Sequence, residues 1–194
     1  MNKTHNSYDL FFKNEGLDFG KTEKIVNESL RNADDGEIFL EFKQSESFVY
    51  DDKKIKNASA STDKGFGLRS VKDETSAYSH SSDISETNIK NAGKTVQSIL
   101  SSSSKSKIVD PIRTNKKHYS NINPLNGFTS EEKTKLLKSI DEYTRKLDRR
   151  VKQVSVSLNG EWQAIHIIRK NGYHCGDIRP VSYTHLTLPT ILRV

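Results

Sequence analysis

Gly36-Glu37-Ile38-Phe39-Leu40-Glu41-Phe42-Lys43 opens the stretch that decides the fold. It continues through Glu46-Ser47-Phe48-Val49-Tyr50, Lys53-Lys54-Ile55-Lys56-Asn57-Ala58-Ser59-Ala60-Ser61 and Gly65-Phe66-Gly67-Leu68-Arg69-Ser70-Val71 to Ser76-Ala77-Tyr78. Ile38, Leu40 and Phe42 alternate with Phe39, Glu41 and Lys43, the period-2 pattern of a strand buried mainly on one face. Asp51-Asp52 and Asp63-Lys64-Gly65 carry turn chemistry, because short polar side chains and glycine tolerate tight backbone conformations. The spacing predicts a meander of about four or five short strands. So small a sheet needs a covering layer, and amphipathic segments flank it on both sides.

Upstream, Thr22 begins a helical pattern with Ile25, Val26, Ser29 and Leu30 on one side, ending near Asp34-Asp35-Gly36. Residues 1–20 are polar around one small apolar cluster, Leu10-Phe11-Phe12, and read as a poorly ordered leader or a first short helix. Downstream, Ser85 is a candidate N-cap with Glu86 at the positive end of the helix. Ile89, Ala92, Val96 and Ile99 then recur at helical intervals. Residues 21–100 thus form an N-terminal α+β domain. Ser101-Ser102-Ser103-Ser104-Lys105 cannot pack, and residues 101–127, with Pro111 and Pro124, read as a linker.

Residues 128–180 read as a helix-plus-hairpin unit. Thr129 and Glu132 have capping-box spacing, and Leu136, Ile140, Tyr143 and Leu147 form an apolar stripe with Leu137 beside it. Val154, Val156 and Leu158 alternate with polar residues and lead to Asn159-Gly160, the favoured two-residue hairpin turn. That turn would set Val154 opposite Ile165 on the buried face and leave Trp162 and His166 together on the other. A second pair, Asn171-Gly172, predicts that the meander continues. The fold class expected is α+β: an antiparallel or mixed meander covered by helices, followed by a helix and hairpin, truncated.

The chain has 194 residues, only 32% of them hydrophobic, with a net charge of +6 and a pI near 9.2. The lysines are interleaved with acids, as in Glu131-Glu132-Lys133, which describes a solvated face better than a phosphate-binding stripe and disfavours nucleic acid as a partner. The single cysteine, Cys175, excludes an intramolecular disulfide and fits a reducing compartment. No stretch reaches membrane-spanning length, so the location expected is cytoplasmic, with no membrane partner.

Several residue sets invite sharper readings. Gly65-Phe66-Gly67 lacks the third glycine of a dinucleotide loop and opens no helix, so its glycines serve close strand packing. His174-Cys175 beside Asp177 suggests a metal, but adjacent residues of a strand point to opposite faces. His166 beside Trp162 reads as a half-exposed sheet residue. Asp51-Asp52 is a turn rather than a catalytic carboxylate pair, and the serines at 101–104 have no base near them. No catalytic, cofactor-binding or metal-ligating residue is assigned.

In order along the chain, Glu46-Ser47, Lys56-Asn57, Asp63-x-Gly65-x-Gly67-x-Arg69-x-Val71, Tyr119-x-x-x-x-Pro124-Leu125, Ser130-Glu131-Glu132-Lys133, Arg149-Arg150 before Val151, and Asp177-Ile178-Arg179-Pro180 resemble the N-terminal part of the TldD/PmbA family of bacterial zinc metalloproteases, on the TldD side. The resemblance runs from about Gly36 to Pro180. It implies a cytosolic protease subunit that pairs with a homologous TldE/PmbA-type subunit and acts on unfolded peptides or peptide precursors. It also implies that zinc is held in the full-length protein by a His-Glu-x-x-x-His helix and a distant cysteine, a motif absent here. On that reading the chain is a non-catalytic N-terminal fragment with no cofactor of its own. Val181 to Val194 depart from the family pattern and look like a translated adapter sequence, a non-native tail. The competing class of function is a stand-alone basic module that binds peptide or nucleic acid through a sheet edge.

Overall fold

A computed structural model describes residues 6–99 and 119–188. The chain begins with α1 (Ser7–Asp9), a short π-helix (Leu10–Asn14) and α2 (Phe19–Ser29). Three strands follow, β1 (Asp35–Asp51), β2 (Lys54–Lys72) and β3 (Thr75–Ser81), and then α3 (Glu86–Ile99). The second part contains a 3-10 turn (Pro124–Gly127), α4 (Ser130–Leu147), β4 (Ser155–Arg169), another 3-10 turn (Lys170–Gly172) and β5 (His174–Thr187). The strands make one antiparallel sheet of five in the order β3-β2-β1-β4-β5, so the fold is α+β.

β1 lies at the centre and is 17 residues long, with β2 of 19 residues beside it. The meander therefore has fewer, longer strands than its turn residues predict. Asp51-Asp52 does lead into the turn, with Asp52 and Lys53 at φ 45° and 64°, the left-handed pair that closes a tight hairpin. Asp63-Lys64-Gly65 does not turn, because all three pair with Lys43, Phe42 and Glu41 within the ladder. The next reversal falls at Asp73, φ 52°.

A second correction concerns Asn159-Gly160. Both residues lie inside β4, opposite Ser47 and Glu46 of β1. Glycine has a packing reason there: a Cβ on Gly160 would stand 2.5 Å from Leu125 Cδ2, which the 3-10 turn lays against the strand, so the leucine would have to shift. Val154 consequently never faces Ile165, whose partners are Glu41 and Asp177. The hairpin turn is instead Asn171-Gly172, at φ 73° and 82°, where the Asn171 amide donates to Asn27 Oδ1 at 2.9 Å.

The helices share the sheet face that carries the even-numbered residues of β1 and β4. One core lies under α1, α2 and α3 and joins Phe11, Val26, Leu30, Ile38, Leu40, Leu68, Ile89, Val96, Trp162 and Ile168. Residues 6–20 are thus no loose leader: Leu10, Phe11 and Leu17 are buried in this core. A smaller core under α4 joins Leu137 to Phe48, Tyr50, Val154 and Val156.

α4 has the predicted capping box, with the Glu132 amide donating to Thr129 Oγ1 at 3.2 Å and the Thr129 amide to Glu132 Oε2 at 2.8 Å. Its burial differs from the apolar stripe. Lys133, Leu137, Asp141 and Thr144 are buried, whereas Leu136, Tyr143 and Leu147 are exposed. The inner face of α4 carries the Lys133–Glu46 pair to β1 at 2.7 Å, while buried Asp141 is satisfied within the helix by Arg145 at 3.1 Å.

β5 pairs with β4 as far as Thr187, opposite Ser155. From Val181 to Leu188 every side chain is exposed, so this part of the strand adds backbone pairing without core. The serine tract 101–104 and the linker up to residue 118 lie outside the described residues, as do residues 189–194. No described helix is long and apolar enough to cross a membrane.

Candidate functional site

Two polar clusters interrupt the apolar layer. The first joins the two halves of the chain. Lys133 of α4 donates to Glu46 Oε2 of β1 and to the Leu125 carbonyl, both at 2.7 Å, and its ammonium stands 5.7 Å from the centre of the Phe48 ring. Beside it, Asn123 Nδ2 donates to Gln44 Oε1 at 2.6 Å, and the Leu125 amide donates to Asn123 Oδ1 at 3.0 Å. Glu46 and Lys133 are 87 residues apart in sequence yet occupy one nearly dry contact, with side-chain exposures of 14% and 8%. Two of the lysine's three donors are taken by fixed acceptors, which suits a structural pin rather than proton transfer.

The second cluster lies under the N-terminal segment. Ser7 Oγ is 3.2 Å from His166 Nδ1, and the imidazole is nearly sealed, with 2% of its residue surface exposed. His174 stacks against it at 5.4 Å between ring centres, while Phe12 meets it edge-on at 5.2 Å. Burial first, and then the neighbouring His174, lower the His166 pKa from 6.5 to about 4, so the ring is neutral at ordinary pH. His166 Nε2 has no hydrogen-bond partner, and the pair therefore lacks the third group that would orient a base behind a serine nucleophile. A cavity of about 220 Å³, lined by Ser7, Tyr119, Asn121 and Asp177 among others, adjoins the serine.

These positions decide the sequence-based readings. His166 is buried, not half-exposed, because the even-numbered side of β4 faces the helical layer, where it shares a face with Trp162. Alternation along β5 separates Cys175 and Asp177 from His174, as the strand argument expected. The Cys175 thiol is half-buried; burial first, then Asp177, push its pKa up, the opposite of an activated nucleophile. Ser7 carried no signal in sequence, because its partner lies 159 residues away. Three arginines of the motif set pair with neighbouring carboxylates: Arg69 with Glu37 at 2.7 Å, Arg150 with Asp148 at 2.6 Å and Arg179 with Asp177 at 2.9 Å.

Among the described residues no three His, Cys, Asp or Glu side chains are placed to hold a metal ion. Sheet, helical layer and clusters together define a two-layer α+β module in which two successive segments share one sheet.

Known proteins give that module its family. Residues 36–102 match the PmbA/TldA metallopeptidase domain 1, and residues 123–188 match the PmbA/TldA metallopeptidase central domain. The metalloprotease TldD homolog of Buchnera aphidicola (subspecies Schizaphis graminum) is 35% identical over 151 residues, covering 77% of this chain and 31% of that protein. The TldD homolog of Haemophilus influenzae is 32% identical over 160 residues, covering 79% of this chain and 32% of that protein. The crystal structure of TldE from Thermococcus kodakarensis superposes with a TM-score of 0.68 at 15% identity, covering 87% of this chain and 39% of that one. The chain belongs to the TldD/PmbA metallopeptidase family, and it spans about a third of the length of the curated relatives it matches. A metal is implied by the family description, but the donor set described above does not fit one.

Proposed function

We propose that these residues form the non-catalytic N-terminal portion of a TldD-type metalloprotease subunit. They supply scaffold, partner contact and part of the wall of a substrate cleft. In the full-length protein, zinc would be held by a His-Glu-x-x-x-His helix and a cysteine outside this chain. Its substrates would be unfolded peptides or peptide precursors, its partner a TldE/PmbA-type subunit, and its location the cytoplasm. The observation that carries this reading is the shared β1. The segment matching the first domain and the segment matching the central domain complete one sheet through the β1–β4 ladder, and the buried Glu46–Lys133 pair locks them. The Glu46–Lys133 cluster is thereby committed to holding the framework.

The test compares residues 1–194 with the uninterrupted reading frame from the source genome, each with and without chelator, on an unstructured peptide. Chelator-sensitive cleavage by the longer product alone is expected. The same cleavage by residues 1–194, or a reading frame with no His-Glu-x-x-x-His, would overturn the proposal.

One observation favours the second reading in its peptide form. Among the described residues the outer edge of β2 from Lys54 to Gly65 has no paired strand, and Lys54 to Lys64 are exposed, an edge to which an extended peptide could add. Binding of an extended peptide by residues 1–194, with protection of Lys54–Lys64 amides, would support it.

A further inference from the structure

We propose that residues 6–17 are an acid-released strap, docked across β4 and β5 while His166 is neutral and freed when it takes up a proton. The proposal is independent of the peptidase reading. It rests on how the segment is held. α1 packs on both β4 and β5, and among the described residues its polar bond to the strands is Ser7 Oγ with His166 Nδ1. Gly176 of β5 leaves the space the serine occupies, since a Cβ there would overlap Ser7 Oγ and stand 2.9 Å from His166 Nδ1. Aromatic contacts and one ion pair add to the grip: Phe12 on His166, Tyr8 on Phe12 at 5.0 Å and on Phe19 of α2 at 5.5 Å, and Glu15 with Lys64 of β2. Leu10, Phe11 and Leu17 supply the apolar anchor.

A proton on His166 has no good place in this arrangement. It would turn Nε2 into a charged donor that has no acceptor, 5.4 Å from a second imidazole. The groups facing the ring from each neighbouring element are Tyr8 from α1, Phe12 from the π-helix, Leu40 from β1, and Gly176 and His174 from β5. The charged side chains of the strap are engaged elsewhere, Asp9 with Lys13 at 2.7 Å and Glu15 with Lys64 at 2.5 Å. No carboxylate among these partners is therefore turned to compensate the imidazolium.

The sign follows from linkage. The docked His166 has its pKa lowered from 6.5 to about 4, and release returns it towards 6.5. Docking is at full strength above about pH 6.5 and weakens as the pH falls towards 4. Across that window the released-to-docked ratio rises about tenfold per pH unit, on the order of 300-fold in all.

Amide hydrogen exchange from pH 7.5 to 4.5, corrected for the intrinsic rate at each pH, reads this directly. Protection of amides 7–17 is expected to fall below pH 6.5 while amides of β1 keep theirs. His166→Gln, which can still bond Ser7 but cannot charge, is expected to flatten the loss. Gly176→Ala is expected to release the segment at every pH. Strap protection that tracks β1 down to pH 4.5, or an acid loss undiminished in His166→Gln, would overturn the proposal. Should His166→Gln fail to fold, the wild-type comparison of strap with β1 still decides it.

Discussion

Replacing Lys133 with Met tests whether the contact between α4 and β1 is the pin that joins the two matched segments. The substitution keeps the length of the side chain and removes its charge and its donors. Glu46, 14% exposed, would keep a carboxylate with its partner gone, and the Leu125 carbonyl would lose its 2.7 Å donor. Breaking a buried pair from one side costs about 3–5 kcal/mol, whereas an exposed pair costs no more than about 1 kcal/mol. Glu46 retains a little access to water, so the lower end, about 3 kcal/mol, is expected. Urea unfolding followed through the single tryptophan, Trp162, buried at 1% exposure, measures the loss. Combining Lys133→Met with Glu46→Gln removes the stranded charge and should recover roughly 2 kcal/mol, a coupling that only contacting residues show. A loss below about 1 kcal/mol in the single variant, or strict additivity in the double, would refute the pin.

Two further predictions follow from packing. Gly160→Val should cost about 1–3 kcal/mol, read from the urea midpoint, because its side chain would displace Leu125 and crowd Glu46 Cγ, 3.4 Å from the position of a Cβ. An unchanged midpoint would mean that the 3-10 turn is not seated on β4. Truncation after Pro180 should lower stability by only about 0.5 kcal/mol, since Val181 to Leu188 bury no side chain; a loss of several kcal/mol would show that pairing with Ser155–Glu161 supports the whole sheet.

Local chemistry was legible in the sequence where the neighbours in space are neighbours in the chain. The Thr129–Glu132 capping box, the Ser85 cap whose hydroxyl accepts from the Asn88 amide at 3.3 Å, the Asp51-Asp52 reversal and the Asn171-Gly172 turn all appear as read. The two failed turns share a cause. Asp63-Lys64-Gly65 and Asn159-Gly160 have turn composition, but a long β1 offers both stretches a ladder partner, and a distant leucine explains the second glycine. Periodicity likewise found α4 and mistook its inner face. An apolar stripe is the default guide to burial, yet Lys133 and Asp141 each have a partner that lets them be buried, and Leu136, Tyr143 and Leu147 are left outside. His166 was misplaced for a related reason: an alternating strand declares two faces, and only the helices laid over it declare which is the inner one.

That distinction bears on what kind of part this chain is. A self-sufficient first domain would end its sheet at β1 with a protected edge. Here the other side of β1 is taken by β4, from Glu37 opposite Arg169 to Asp51 opposite Ser155, so the segment that follows the linker completes the sheet begun before it. The cores divide accordingly. Trp162, Ala164 and Ile168 of β4 fill the cluster under α2 and α3, while Phe48 and Tyr50 of β1 fill the cluster under α4. Each matched segment thus supplies side chains to the core beneath the other's helices. The boundary between the two family domains is therefore a boundary in sequence only. In the packing it is crossed by a full strand ladder and a buried ion pair, the construction expected of a framework that must hold its parts in fixed register.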